Sequence, residues 1–418
     1  MKTKLSGLLA GLCLLGFTAS AEPELPGEEL TAPLFEASFL QGWYCRDWNE
    51  AQWQSELSDM RSAGFRAVIL QSAVDLNYEQ TDFSQPKTDA DAYALTSAYA
   101  LYPTALVSGS EHAHALEYAL NAASKTGMLL YIGTVSDSRW WNYGWGVPDS
   151  FFSGWAEENA AQCAAVIAEV WSQYGAQYSE QIAGFYYNNE IWNMDAACTG
   201  DALAAYTEIL GGNLRGSLEQ LALLCPEKPL LISPFYNKDL SSAAQYADFW
   251  RAVAEQAQFR PQDIFACQDG GGRDYDTETL HEWNTALQAA LGGRMRFWVN
   301  NEAFRADNSV RDAAQLRESY LATADAEKHI LFSWNHHYHG KLDAEYAAFL
   351  RQMTGDINGD GACSLADAVL LRRWLLGEAV CPANWLAGDL DANGVWNAAD
   401  LTLLKRMLLL TGHTESCP

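Results

Sequence analysis

Between residues 37 and 352 the chain alternates short apolar, β-rich runs with amphipathic helical stretches, and this rhythm constrains the fold more than any other feature. The β-rich runs are FLQGWYC (39–45), RAVILQS (66–72), MLLYIGTV (128–135), IAGFYYNN (182–189), PLLISPF (229–235), DIFACQD (263–269), RMRFWVNN (294–301) and HILFSWN (329–335). Helical patterns separate them, for example at 49–64, 111–127 and 309–325, and a glycine stops each of the first two. Eight strands with eight helices in about 315 residues is the size of a (β/α)8 TIM barrel with extended loops. A doubly wound open sheet is the alternative, but no Gly-rich phosphate loop follows the first run.

In such a barrel the C-terminal strand ends share one face, where chemistry is done. Those ends hold Trp43 and Tyr44, Gln71, Asn188 to Glu190, Tyr236 and Asn237 just past strand five, Gln268 and Asp269, Asn300 to Glu302, and Trp334 with Asn335. Amides, acids and flat rings together suit sugars, whose hydroxyls need hydrogen bonds and whose ring faces pack on aromatics. A lone Glu at a strand end is commonly a helix-terminus charge or an ion-pair partner. Here Glu190 and Glu302 each follow Asn-Asn on strands four and seven, and two carboxyls facing one another are what glycoside hydrolysis requires. Trp43, Gln71, Asn189, Tyr236, Gln268, Asp269, Asn301, Trp334 and His337 are the expected substrate contacts, with Asp269 the reserve carboxylate. The spacing of His336, His337 and His339 fits no helical zinc pattern, which favours substrate contact over metal. Trp140, Trp141, Trp145 and Trp155 crowd the segment after strand three, either as sugar platforms or as packing on the barrel rim.

From Thr354 the character changes. DINGDGACSLAD (356–367) and DLDANGVWNAAD (389–400) are two copies of a D-x-[DN]-x-[DN]-G loop with an acid at position twelve, each running into an apolar helix. Alternate side chains in such a loop converge on a hard cation that needs six to eight oxygens. The expected ligands are Asp356, Asn358, Asp360 and Asp367 in the first loop, and Asp389, Asp391, Asn393 and Asp400 in the second.

These motifs carry two family resemblances. Residues 355–412 resemble a type I dockerin, with Asp at position twelve and basic pairs Arg372-Arg373 and Lys405-Arg406 at equivalent helical places. The resemblance implies two structural Ca2+ ions and docking on a cohesin domain of a cellulosome scaffoldin. Residues 37–352 resemble a glycoside hydrolase of the clan A type, closest to an uncharacterised secreted barrel family grouped with those enzymes. Asn189-Glu190 matches the acid/base motif of strand four and Glu302 the nucleophile of strand seven. The match implies that Asn189 bonds a substrate hydroxyl and that Trp334 forms the aromatic floor. Gln71 stands where the clan has Arg, and Ile191 follows Glu190 where it has Pro. The expected activity is retaining hydrolysis of a plant cell-wall glycan without a catalytic cofactor; the alternative is a non-catalytic glycan- or protein-binding barrel on the same scaffold.

Residues 1–21, with Lys2 and Lys4 before LLAGLCLLGF and the exit ASA, read as a secretory signal peptide. The expectation is an exported protein on a cell-surface scaffold, with no membrane span. A formal charge of −27 excludes nucleic acid and anionic membranes as partners. Eight cysteines remain beyond the leader, consistent with buried thiols and one or two bridges whose pairing the spacing leaves open. No Gly-x-Ser-x-Gly elbow occurs.

Overall fold

The structure, a computed structural model, describes residues 34–82, 92–143, 148–194, 199–338, 346, 349, 354–380, 382–384, 386–391 and 395–411. Eight parallel strands close on themselves: β1 (Ala37–Leu40), β2 (Ala67–Leu70), β5 (Leu129–Gly133), β7 (Ile182–Tyr187), β8 (Leu230–Ile232), β9 (Ile264–Gln268), β10 (Arg296–Glu302) and β11 (Lys328–Phe332). The closing pair is β1 with β11, in register Ala37 to Ile330, and that closure eliminates the open sheet. Around the barrel lie α1 (Gly42–Cys45), α2 (Glu50–Ser62), α3 (Ala115–Thr126), α4 (Arg139–Tyr143), α5 (Ser150–Tyr178), α6 (Gly200–Leu224), α7 (Ala243–Ala257), α8 (Thr277–Leu291) and α9 (Ala313–Ala322). Asn49, Ser242 and Asp312 begin α2, α7 and α9 with capping boxes closed by Gln52, Gln245 and Gln315. Each such cap fixes where the chain leaves the barrel mouth and stabilises its helix by about 1 kcal/mol.

Strand alternation sorts the side chains. Phe39, Ile69, Tyr131, Tyr186, Leu231, Ala266, Trp298 and Ile330 fill the barrel interior, while Leu40, Val68, Phe265 and Val299 join the larger core under the helices. Tyr131 meets Trp298 edge to face at 6.1 Å, so the interior is solid and a ligand is confined to one end.

Two features depart from the sequence reading. The first run is a strand only to Leu40; Trp43 and Tyr44 ride on the turn of α1. A second sheet, in the order β4-β3-β6, is formed by β3 (Val74–Gln80), β4 (Tyr93–Ala100) and β6 (Val135–Asp137). Its strands are polar and half exposed, so no apolar run announced them. Asp137 pins this sheet: it accepts from Arg139 at 2.7 Å and from the Trp155 indole at 3.1 Å, while the Arg139 guanidinium lies 3.9 Å over Tyr78. Trp140 and Trp155 are accordingly buried with Phe152 rather than offered to a ligand, and Trp141 is 47% exposed. Trp145 lies outside the described residues.

Cys45, Cys163, Cys225, Cys267 and Cys363 are free thiols. Cys198, Cys381 and Cys417 lie outside the described residues, so the expected bridges do not occur among those described. No helix among the described residues is long and apolar enough to cross a membrane. The C-terminal module consists of two loop-helix units, with helices α10 (Leu365–Leu375) and α11 (Ala398–Thr411) joined over Ile357, Leu371, Trp396 and Leu404.

Candidate active site

Continuing the two-residue period beyond the interior layer predicts what reaches the barrel mouth. Phe39 leads to Gln41, Ile69 to Gln71, Tyr186 to Asn188 and then Glu190, Ala266 to Gln268, and Trp298 to Asn300 and Glu302. Glu190 and Glu302 therefore stand on inward faces of the strand-four and strand-seven ends. Gln268, between them in strand order, hydrogen-bonds the Glu190 carboxyl and donates to the Ser233 carbonyl at 3.2 Å. Asn300 donates to the Ser233 hydroxyl at 2.9 Å.

Glu302 is 7% exposed and is held by backbone. The Gly272 N–H donates to its Oε2 at 2.8 Å, from a tight turn (Gly271–Arg273) after β9. A Cβ at position 272 would lie 2.8 Å from Glu302 Oε1 and 2.6 Å from the Phe304 ring, so only glycine lets this amide reach the carboxylate. Asp269 organises the turn: its Oδ1 accepts from Gly271 N at 2.7 Å and Glu302 N at 3.3 Å, and its Oδ2 accepts from Asn301 at 2.9 Å. Arg311 lies beside Asp269 and partly offsets its buried charge.

Both glutamates hold protons unusually tightly. Burial pushes Glu190 up to about 7, with the Gln268 hydrogen bond pulling the other way. Glu302 rises to about 8, first through burial, then through the negative Asp269, with Gly272 N–H opposing and the Glu190 charge adding to the rise. The Glu190 charge is felt at Glu302, which puts the two carboxyls within electrostatic reach of one another.

Aromatic rings form two groups at this end of the barrel. Tyr186, Phe39 and Phe332 succeed one another with centroids 5.3 and 5.2 Å apart, and His336 continues from Phe332 to the 52%-exposed Trp43 at 5.3 Å. In the second group half-buried Trp192 stacks on Phe235 at 5.3 Å, and the Arg273 guanidinium lies 5.7 Å over the Phe235 ring.

Of the residues expected to touch substrate, Trp43, Gln71 and Gln268 are at the mouth. Five others are turned away from it: Asn189, Tyr236, Asp269 and Asn301 sit one residue out of phase with the inward set, whereas Trp334 shares the parity of Ile330 and Phe332 and leaves the mouth because β11 ends at Phe332 and a helical turn begins at Trp334. Asn189 donates to Asn159 of α5 and to the Tyr187 hydroxyl. Asn301 joins Asp269 to His329, and Asp269 itself is wholly buried. Tyr236 stacks on Trp283 at 4.2 Å and donates to the Asp269 carbonyl. Trp334 packs edge-on to Phe65 and donates to Glu56, so it does not offer its face at the mouth. The side chain of His337 lies outside the described residues. Residues the sequence reading missed are Gln41, 2% exposed with neither amide atom paired to protein, and Gly272. The signal for Gly272 was legible as three glycines directly after a strand, Gly270 to Gly272.

The C-terminal loops share one internal pattern. Asp367 accepts from Ile357 N and Ser364 N, and Asp400 from Leu390 N and Asn397 N, at 2.7 to 2.9 Å. Carboxylate oxygens of Asp389, Asp391 and Asp400 lie within 4.8 Å of one another, a crowd that suits a divalent cation. Asp356, crowded by Asp367 and Asp360, fits the same role in the first loop. Asn393 lies outside the described residues.

No protein of curated function matches the sequence. Among solved structures the chain is similar in fold to a β-galactosidase from the psychrophilic Marinomonas ef1, with TM-score 0.48 and 11% identity over 82% of this chain and 60% of that one. It is likewise similar to an intracellular xylanase from Thermoanaerobacterium saccharolyticum, with TM-score 0.40 and 10% identity over 75% and 89%. A third likeness is to the carboxyl transferase domain of Rhizobium etli pyruvate carboxylase, with TM-score 0.41 and 12% identity over 87% and 50%. The chain thus spans about three-fifths of the β-galactosidase. Residues 354–409 match the dockerin type I domain, and the chain, through residues 36–342, belongs to the family described as a domain of unknown function, DUF4434.

Proposed function

We propose that the chain is an exported glycoside hydrolase, carried on a scaffold by its dockerin, that cleaves a plant cell-wall glycan with Glu190 and Glu302. The observation that carries this is the pair itself: two inward carboxyls, both holding protons near neutrality, at the end of the barrel where aromatic rings gather. Glu190 is the general acid/base; burial keeps its proton available for the leaving oxygen. Glu302 is the nucleophile of a retaining reaction, aimed by the Gly272 amide, and such pairs stand about 5 to 5.5 Å apart. Gln41, Gln71 and Asn188 supply the hydroxyl contacts that Asn189 and Asn301 cannot reach.

The dockerin binds two Ca2+ ions through Asp356, Asn358, Asp360 and Asp367, and through Asp389, Asp391, Asn393 and Asp400. It docks on a cohesin, and the exposed Arg372, Arg373, Lys405 and Arg406 offer contacts.

Catalysis needs Glu302 ionised and Glu190 protonated. Because Glu302 holds its proton more tightly than Glu190, that state is the minor one-proton form of the pair, on the order of a tenth of it, and its population peaks between about pH 7 and 8, where a bell-shaped activity profile should be centred. The test is turnover of xylan, mannan, glucan and pectin fragments by the wild type, Glu302→Gln and Glu190→Gln. Loss of turnover by at least 10²-fold with glycan binding retained supports the assignment. A wild type that binds glycans and cleaves none, or variants with unchanged turnover, refutes it.

A further inference from the structure

The first loop of the dockerin does not project into solvent. Its Gly359 carbonyl accepts from the Tyr320 hydroxyl and its Gly361 carbonyl from Arg317, both at 3.4 Å, and both donors lie on α9 of the barrel. Gly361, at φ 89°, passes so close to α9 that a Cβ there would lie 2.3 Å from a Leu321 methyl. Gly359, at φ 74°, is wedged between Leu34 and Ala383, where a Cβ would meet each at 3.0 Å. Ala383, from the spacer between the two loops, packs against the barrel's own apolar core.

Tyr320 is fixed from the barrel side. Its ring lies 4.4 Å from His329 of β11 and 5.7 Å from Phe35, and the residue is 6% exposed. Asp356, at the first position of the calcium loop, is the charged group nearest in influence to its hydroxyl. Leu34 precedes β1, and Tyr320 and Leu321 end α9, so the contact is on the N-terminal face, away from Glu190 and Glu302. In barrels of this kind that face serves stability rather than chemistry.

We infer that the N-terminal face of the barrel is a docking surface for the dockerin's first calcium loop, so that Ca2+ in that loop clamps the module to the barrel and stabilises the barrel itself. The reason is geometric. The carbonyls of Gly359 and Gly361 reach α9 only if the loop holds its tight left-handed turns, and those are the turns that bring Asp356, Asp360 and Asp367 around one cation. A cation bound to the folded loop and not to the unfolded chain is linked to every contact the loop makes. Both hydrogen bonds to α9 come from the first loop, so its ion is the one linked to the barrel. The inference does not depend on the reaction proposed above.

The test is calorimetric melting and amide hydrogen exchange of the full chain with Ca2+ and with a chelator. Saturating Ca2+ should raise the barrel transition by about 5 °C and slow exchange across residues 313–322. Leu321→Asp should abolish both effects while titration calorimetry still counts the same number of bound ions. Asp391→Ala, which disables the second loop, should leave the barrel shift intact. Should Leu321→Asp fail to fold, the paired change Arg317→Ala with Tyr320→Phe removes both hydrogen bonds instead. A barrel transition and α9 exchange indifferent to Ca2+, or an undiminished shift in the α9 variants, overturns the inference.

Discussion

Glu302→Gln isolates the energetic cost of the site. The amide oxygen of glutamine can still accept from Gly272 N–H and the shape is conserved, so the change removes only the ionisable group. Glu302 is raised from 4.5 to about 8, which means that the folded state holds a proton the unfolded chain releases. Its stabilising contribution is complete below about pH 4.5 and is lost as pH rises through about 8. At ~1.4 kcal/mol per decade of proton affinity, the wild type forfeits on the order of 5 kcal/mol at most by pH 8.5, relative to pH 4. For a barrel of this size that is roughly 5 °C or more in melting temperature.

The variant carries no such term. Thermal melts of both proteins from pH 4.5 to 9 should nearly coincide at the acid end and diverge upward, with Glu302→Gln the more stable at pH 8.5. The difference between the two proteins cancels the titration of groups that do not interact with Glu302. His329, wholly buried and pushed down to about 3, contributes stability that is present above about 6.5 and lost as pH falls toward 3, equally in both. A constant gap between the curves, or a wild type that gains on the variant as pH rises, refutes the claim that Glu302 is buried at the expense of stability.

Gly272→Ala should lower kcat/KM by about 10²-fold, because the new methyl displaces the Glu302 carboxylate, while the melting temperature falls only modestly; steady-state kinetics with a parallel melt separates the two. Arg139→Met should cost about 3–5 kcal/mol in urea unfolding by stranding the wholly buried Asp137, and adding Asp137→Asn should recover much of the loss. Trp43→Ala should raise KM roughly fivefold with kcat and melting temperature little changed, since the ring is half exposed and its removal forfeits about 1 kcal/mol of stacking.

The barrel was legible in the sequence because its strands are buried on both faces and read as continuous apolar runs, with glycines ending the helical stretches at 49–64 and 111–127. The dockerin was legible because its loops are local, with every ligand inside twelve residues. The glutamate pair was legible for the same reason of placement: strand ends four and seven must share the mouth of a closed eight-stranded barrel. The facing of individual side chains was not. Asn189 and Asn301 look equivalent to their neighbours in the sequence, yet a one-residue phase turns both into the helix layer and gives the inward places to Asn188 and Asn300. Nor does the sequence join Gly272 to Glu302, or Gly359 and Gly361 to α9, because these contacts link segments 30 to 44 positions apart. Local periodicity determined which elements exist. Only the closed tertiary structure decided which faces meet, because burial of one strand face fixes the register of every neighbour at once.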